Sequence, residues 1–359
     1  MTAVLPHAHE GTRPVAVPRI WARVRRYLAT RPVKFHVGVL IVAAMVLAAI
    51  FADWLPIHGP LQSFRGFELK GPSWSFPLGT DEIGRDLLSR IIYGGRSSFA
   101  AAFIGVSLAA LLGAPLGLLA GLQGGVVDTV VSRVADAIFA MPAILIGIGL
   151  AAALGGGPVA VTLAIIIGSW PSFVRVARSG ALQERVLPYV EALRSIGASR
   201  SRLIFRHVLP NTLEPLVVQF AVALAVAVLI ESGLSFLGMG AAPPAPSWGG
   251  LLADSRRFLL TATYYAVFPG IAVSLAVIGI NFIADGLRQD AKSSSRLRIA
   301  PRRPDLPAGE SGSVLRIDDL QAAFGSDDAP VRVLNGVTLE VPVGQTLGVV
   351  GESGSGKRA

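Results

Sequence analysis

The sequence contains no cysteine and little charge. The absence of cysteine excludes disulfide bonds, iron–sulfur clusters and thiolate zinc sites. Only 15% of the 359 residues are charged and the mean hydropathy is +0.59, whereas a soluble chain of this length carries more charge. The histidines are His7, His9, His36, His58 and His207. None lies deep in an apolar segment, so the sequence predicts no metal site.

Positive charge is in excess, with a formal net charge of +9, and it lies between the apolar segments. A nucleic-acid-binding protein would instead carry basic residues on a folded surface with aromatic side chains nearby. The observed distribution is typical of membrane topology. We therefore predict contact with membrane lipid and no nucleic-acid partner.

Six apolar segments are long enough to cross a bilayer as helices. They cover residues 37–55, 97–122, about 134–154, about 158–174, about 212–230 and about 265–284. Residues 1–36 form a basic leader. A cleaved signal peptide is the alternative, although this leader is longer than an ordinary signal sequence. The fold class predicted for residues 37–288 is an all-α polytopic membrane protein with six transmembrane helices.

The basic residues test this count, because positively charged loops stay on the cytoplasmic side. The loop between spans four and five contains Arg175, Arg178, Arg185, Arg194, Arg200, Arg202 and Arg206. The segment after span six contains Arg288, Lys292, Arg296, Arg298, Arg302 and Arg303. Together with the leader, these segments lie on one side only if six spans are present. Both termini are therefore predicted to be cytoplasmic.

Three features inside the spans have competing interpretations. Span two carries a stripe of small residues, Gly105, Ala109, Gly113, Gly117 and Gly121. The stripe predicts close helix packing rather than a functional role. For Asp136, close to Arg133, an interfacial ion pair is favoured over a proton relay. Glu231 is expected to extend toward the membrane interface, with a gating role as the alternative.

The segment YVEALRSIGASRSRLIFRHVLPN, residues 189–211, predicts a helical hairpin outside the bilayer. Pro188 is suited to start a helix and Gly197 to end it, and a second helix would run from about Ser199 until Pro210 stops it. A solvated basic loop is the alternative that the residues alone leave open.

Part of this segment closely resembles the EAA loop of ABC importer permeases. The matching residues are Glu191, Ala192, Gly197, Leu209 and Pro210. Three further motifs are GTDEIGRDLLSRIIYGGRSS (residues 79–98), ESGLSFLGMG (residues 231–240) and PSWGGLL (residues 246–252). Their sequences and order are similar to the dipeptide/oligopeptide/nickel permease family over most of residues 35–290. The chain departs from the EAA pattern at Leu193, where a third small residue is usual.

The resemblance implies that residues 189–211 form a coupling helix that docks on a cytoplasmic ATPase, with Glu191 pairing across that interface. It implies three kinds of partner: a second permease subunit, two ABC ATPase subunits or domains, and an extracytoplasmic solute-binding protein. It places the chain in the bacterial cytoplasmic (inner) membrane. The permease would bind no cofactor, because ATP and Mg²⁺ would be held by the ATPase partners. Scarce metal ligands favour di- or oligopeptides as substrate, with nickel or another small solute as the alternative.

A polar linker, residues 289–312, precedes β-branched runs that predict three strands within residues 313–359. The last strand leads into GESGSGK, residues 351–357, which matches a phosphate-binding loop. The residues assigned to nucleotide contact are Gly351, Gly354, Ser355, Gly356 and Lys357. The next residue, Arg358, replaces the hydroxyl side chain that holds Mg²⁺. Residues 314–357 resemble the start of a peptide-importer ATPase subunit, and this resemblance implies a truncated, inactive start of an ABC ATP-binding domain.

Two other classes of protein remain as alternatives. An ATP-hydrolysing enzyme with a membrane anchor would need the catalytic half of the domain, and six spans are more than an anchor requires. An ion channel would need polar or charged rings along its pore, which the predicted spans do not contain.

Overall fold

A computed structural model describes residues 31–293, 298–299, 313–324 and 331–348. Its α-helices are α1 (Val33–Ile50), α2 (Leu87–Gln123), α3 (Gly125–Phe139), α4 (Ala143–Leu154), α5 (Pro158–Glu184), α6 (Pro188–Ser195), α7 (Arg200–Phe236), α8 (Trp248–Ser255) and α9 (Tyr264–Ser293). Short 3₁₀ helices cover Ala52–Trp54 and Arg256–Phe258. Most of the predicted basic leader, residues 1–30, lies outside the described residues.

Five of these helices, α1, α2, α5, α7 and α9, are long and apolar enough to cross a membrane. The third predicted span is not one straight helix, because α3 and α4 meet at an angle of 86°. Pro142 lies at the break: proline lacks an N–H donor and disfavours helical geometry in the residue before it. The described residues therefore contain five spans, or six if the bent pair crosses as one.

Two helices extend well beyond the spans that hydropathy predicts. Helix α2 begins at Leu87 rather than at residue 97, and α5 ends at Glu184 rather than at residue 174. The added turns carry charged side chains that find partners inside the protein, such as Arg90 with Asp81. The apolar segment that predicts each span ends at the first charged residues. The helix itself continues past them, since these charged side chains are paired within the protein.

The small-residue stripe of α2 packs along α5, which confirms the packing interpretation. A side chain on Gly113 would collide with the Trp170 carbonyl, and one on Gly117 with the Val174 carbonyl. Helix α1 lies along α9 in the same way, since a side chain on Gly38 would meet the Gly279 carbonyl. The small residues thus allow backbones to approach where a larger residue would separate them.

The C-terminal part forms a small antiparallel sheet in the order β1 (Arg298–Ile299), β2 (Ser313–Phe324) and β3 (Val331–Pro342). Two of the three predicted strands, β2 and β3, are confirmed. The third is wrong for residues 346–348, which form no strand. The predicted linker is also shorter than expected, because α9 continues to Ser293.

Candidate coupling site

The chain between α5 and α7 forms an exposed helical hairpin, residues 188–202, called the coupling hairpin below. Pro188 is the first residue of α6, as predicted, because its missing N–H costs nothing at a helix start. Gly197 follows in a left-handed conformation with φ of +77°. There the Ala198 N–H donates to the Leu193 carbonyl at 3.0 Å, the long bond of a Schellman motif. The predicted end of the first helix is confirmed.

The second helix does not stop at Pro210, which corrects the prediction. Ser199 caps the start of α7, and the six residues Leu203–Val208 form a π-helical segment. Pro210 follows as the second residue of a regular helical stretch, a position where a missing N–H is tolerated. The coupling hairpin therefore continues without a break into a membrane span.

The EAA-like residues fall into two groups. Glu191, Ala192 and Gly197 lie on the exposed side of the coupling hairpin. Leu209 is half-buried and Pro210 exposed, both on α7 beyond the π-helical segment. The structure therefore brings three of the five together and leaves two at the start of the span.

One face of the hairpin is exposed, and the other packs against the rest of the protein. Val190 is fully buried, whereas Ile196 at the tip is 79% exposed. Within the described residues Glu191 forms no ion pair, so its carboxylate is open to a partner. Exposed apolar and charged groups side by side are suited to contact with another protein.

Three side chains that the sequence interpretation did not single out join the hairpin to two spans, and we call them the clamp. The Tyr189 hydroxyl of α6 donates to the Glu184 carboxylate at the end of α5. The Asn211 amide of α7 donates to Glu184 Oε2 at 3.1 Å and to the Tyr189 oxygen at 3.3 Å. Burial and the neighbouring Glu184 raise the pKa of Tyr189 to about 12, so its hydroxyl stays protonated as a donor. The clamp therefore joins the hairpin to both α5 and α7 by side-chain hydrogen bonds.

A further bond ties the hairpin to the end of α2. Arg194 Nη2 donates to the Leu122 carbonyl at 3.3 Å. Beside it lies a groove of about 510 Å³, lined by Arg194 and Arg200 from the hairpin and by Val126 from the start of α3. The hairpin thus contacts α2, α5 and α7 and leaves a basic groove open.

Ion pairs hold the bent pair α3–α4 against α5. Arg178 binds Asp128 through two nitrogens, with Nη2 at 2.7 Å from Oδ2. Arg175 Nη2 lies 2.7 Å from Asp136 Oδ1, which confirms the ion pair interpretation of Asp136 but replaces Arg133 with Arg175 as partner. The Arg175 guanidinium also lies 4.0 Å from the centre of the Phe139 ring.

The opposite end of the bundle is about 55 Å away along α2, which has 37 residues. There the motif of residues 79–98 forms a buried ion cluster. Asp81 is fully buried and binds Arg85 Nε at 2.5 Å as well as Arg90. Gly84, with φ of +77°, lies so close to the Phe64 carbonyl that a side chain would collide with it. Asp86 caps α2 by accepting from two backbone N–H groups.

Glu231 does not extend to the interface, contrary to the prediction. It is only 3% exposed and accepts a hydrogen bond from Ser235 Oγ at 2.9 Å, with Ser232 and Ser98 also bonded to it. The Ser98 oxygen accepts from the backbone N–H of Trp248, so this network joins α2, α7 and α8. Hydroxyl groups satisfy the carboxyl inside the protein, and snorkelling is unnecessary.

The phosphate-binding loop, residues 351–357, lies outside the described residues. Within the residues that are described, no group of three His, Cys, Asp or Glu side chains is placed to hold a metal ion.

Comparison with known proteins identifies relatives among transport permeases. The di/tripeptide transport system permease protein DppC of Pseudomonas aeruginosa is 39% identical over 257 residues, covering 70% of this chain and 85% of that protein. The glutathione transport system permease protein GsiD of Salmonella paratyphi A is 39% identical over 283 residues, covering 79% and 93%. The inward-facing MetNI methionine ABC transporter matches 56% of this chain and 97% of that chain, with 19% identity and a TM-score of 0.48.

A family model covers the part of the chain that contains the coupling hairpin. Residues 113–289 match the model described as binding-protein-dependent transport system inner membrane component. This range runs from the middle of α2 almost to the end of α9. With the curated relatives at 39% identity over most of their length, it establishes the function class. The chain belongs to the family of inner-membrane permeases of binding-protein-dependent ABC importers.

Proposed function

We propose that this permease moves di- or oligopeptides into the cytoplasm by alternating access driven by ATP hydrolysis on partner subunits. The names of several relatives, which transport dipeptides, tripeptides or glutathione, support a peptide substrate. Nickel or another small solute is the second candidate. The scarcity of metal-ligating side chains in the spans favours the peptide.

The observation that carries the mechanism is the clamp between the coupling hairpin and two spans. An ATPase that grips the exposed side of the hairpin displaces Tyr189, and Glu184 and Asn211 pass that displacement to α5 and α7. The spans then rock between inward-open and outward-open arrangements, as rigid helices do around a site between them. The permease thus performs no covalent chemistry.

The partners follow from this mechanism. A second permease subunit completes the path, two ABC ATPase subunits or domains hold ATP and Mg²⁺, and an extracytoplasmic binding protein delivers the substrate. Both termini of the permease are cytoplasmic in this arrangement. The phosphate-binding loop predicted at residues 351–357 is followed by Arg358 in place of the hydroxyl side chain that holds Mg²⁺, so we expect the purified chain to show no vanadate-sensitive ATP hydrolysis.

The absence of cysteine allows a direct test of orientation, because each introduced cysteine is the only thiol in the chain. Ile196→Cys labels the hairpin tip and Trp74→Cys, at a fully exposed position, labels the opposite end. We expect a membrane-impermeant maleimide to reach Ile196→Cys only from the cytoplasmic side and Trp74→Cys only from outside. Labelling of Ile196→Cys from outside would exclude an ATPase at the hairpin and refute the mechanism.

Coupling is tested with bulky substitutions on the hairpin. Glu191→Trp and Gly197→Val should lower ATP-dependent dipeptide uptake by the reconstituted complex at least about tenfold, because docking needs a close approach and Gly197 needs a left-handed backbone. Glu68→Trp, at an exposed position of the opposite end, serves as the matched control. Unchanged uptake or conductance in the hairpin variants would favour a channel.

A further inference from the structure

A cavity of about 420 Å³ lies at the end of the bundle opposite the coupling hairpin. Its walls come from the segment before α2, the end of α7, and α8 with the short 3₁₀ helix after it. The side chains used below are Glu82, Asp254, Arg256, Arg257, Phe236 and Phe258. A volume of this size suits a small organic ligand such as a peptide of a few residues.

The lining of the cavity includes two carboxylates, each with an arginine nearby that lies outside the lining. Glu82 Oε1 lies 3.3 Å from Arg85 Nη2, and Glu82 Oε2 accepts from the Tyr265 hydroxyl. Asp254 Oδ2 lies 3.9 Å from Arg90 Nη2. Arg85 and Tyr265 thus position the Glu82 carboxylate, and Arg90 lies within ion-pair distance of Asp254.

The two carboxylates are not fully neutralised by those arginines. The buried Asp81 already binds both Arg85 and Arg90 at close range. Three carboxylates therefore share two guanidinium groups, so Arg85 and Arg90 neutralise Glu82 and Asp254 only in part. A cation of the ligand would supply the missing charge.

The rest of the lining includes positively charged and aromatic side chains. Arg256 and Arg257 contribute positive charge, and the Arg256 guanidinium lies 5.6 Å from the centre of the Phe236 ring. Phe236 and Phe258 add aromatic surface between the charged groups. The lining of the cavity thus combines carboxylates, guanidinium groups and aromatic surface.

We propose that this cavity binds a short zwitterionic peptide on its way to the membrane path. Glu82 and Asp254 receive the α-ammonium group, and Arg256 and Arg257 receive the terminal carboxylate, as charged groups of opposite sign pair in a partly desolvated site. The aromatic side chains contact the peptide's own side chains. The proposal rests on the proposed peptide function and deepens it by assigning a permease site that reads both termini.

The test measures binding of dialanine to the transporter complex in nanodiscs, without binding protein, by saturation-transfer NMR. Asp254→Asn removes one charge while keeping the shape, and Asp285→Asn, at an exposed position on α9, is the matched control. We expect Asp254→Asn to weaken dialanine binding about tenfold, and Asp285→Asn to leave it unchanged. N-acetyl-dialanine should bind the unaltered complex as weakly as Asp254→Asn binds dialanine, and Asp254→Asn should not weaken its binding further.

Other results separate the cavity from the function. Equal dialanine affinity in Asp254→Asn and the unaltered complex, or equal affinity for free and acetylated peptide, overturns the cavity assignment. If the binding results overturn the cavity assignment but the complete transporter with its binding protein takes up dialanine, the peptide function still stands. If the complete transporter takes up no peptide at all, the proposed function itself fails.

Discussion

The two ends of the helical bundle use charge in opposite ways. At the end of the bundle where α2 begins, Asp81 is fully buried and forms ion pairs with Arg85 and Arg90. These charges therefore stabilise the fold. At the coupling hairpin, Glu191 and Arg200 are exposed. The first arrangement makes a rigid end, because a buried charge tolerates no loss of its partner. The second leaves charge available for another protein.

Removing the central carboxylate of the buried cluster tests this difference between the two ends most directly. Asp81→Asn leaves Arg85 and Arg90 without their shared anion, which should cost about 3–5 kcal/mol of unfolding free energy. Thermal unfolding in nanodiscs measures the loss. Asp136→Asn, whose ion pair with Arg175 is about half exposed, should stay within about 1 kcal/mol. Equal losses in the two variants would contradict the distinction.

The clamp is the next target, because its hydrogen bonds join the coupling hairpin to α5 and α7. Tyr189→Phe removes the hydroxyl that joins Glu184 and Asn211, a loss of about 1 kcal/mol. We expect peptide uptake to fall several-fold while the complex still hydrolyses ATP. Tyr93→Phe removes a comparable hydroxyl bond, to the exposed Asp53, and should leave uptake intact. A parallel fall in ATP hydrolysis would indicate lost assembly instead of lost coupling.

The smallest effect concerns the pH dependence of the cavity. Burial raises the pKa of Asp254, and the nearby Glu82 and Asp81 raise it further, while Arg90 and Arg85 lower it. A raised pKa means that the carboxyl takes up its proton at a higher pH than an ordinary aspartate. Dialanine affinity is therefore full above that pKa and falls as the pH is lowered through it, which a titration from about pH 8 to pH 5 measures. Asp254→Asn should flatten this part of the profile.

Local rules predicted the parts of the molecule that local chemistry decides. Pro188 and Gly197 mark the ends of α6 because one lacks an N–H and the other adopts a left-handed backbone. The glycines of α2 predicted close packing, although the sequence alone does not say that α5 is the partner. The helical hairpin that Pro188 and Gly197 predict is present, although its second helix runs past Pro210.

The errors arise where a distant part of the chain decides the outcome. Pro210 normally ends a helix, but the π-helical segment before it lets α7 continue. Glu231 stays buried because Ser98, from another helix, and Ser235 satisfy it. Pro142 bends the third predicted span, which a hydropathy average does not register. The clamp was missed because Glu184 and Asn211 are 27 positions apart and meet only after folding.

Helix α7 begins in the coupling hairpin and ends beside the cavity, so a single helix about 55 Å long joins the two ends of the bundle. A tilt of about ten degrees about its buried end would sweep the other end through roughly 10 Å. The buried carboxyl of Glu231 lies near that buried end, where such a tilt would displace it least and would leave its hydrogen bond with Ser235 intact. Pro215, inside the regular part of α7, is the position at which such a helix would bend.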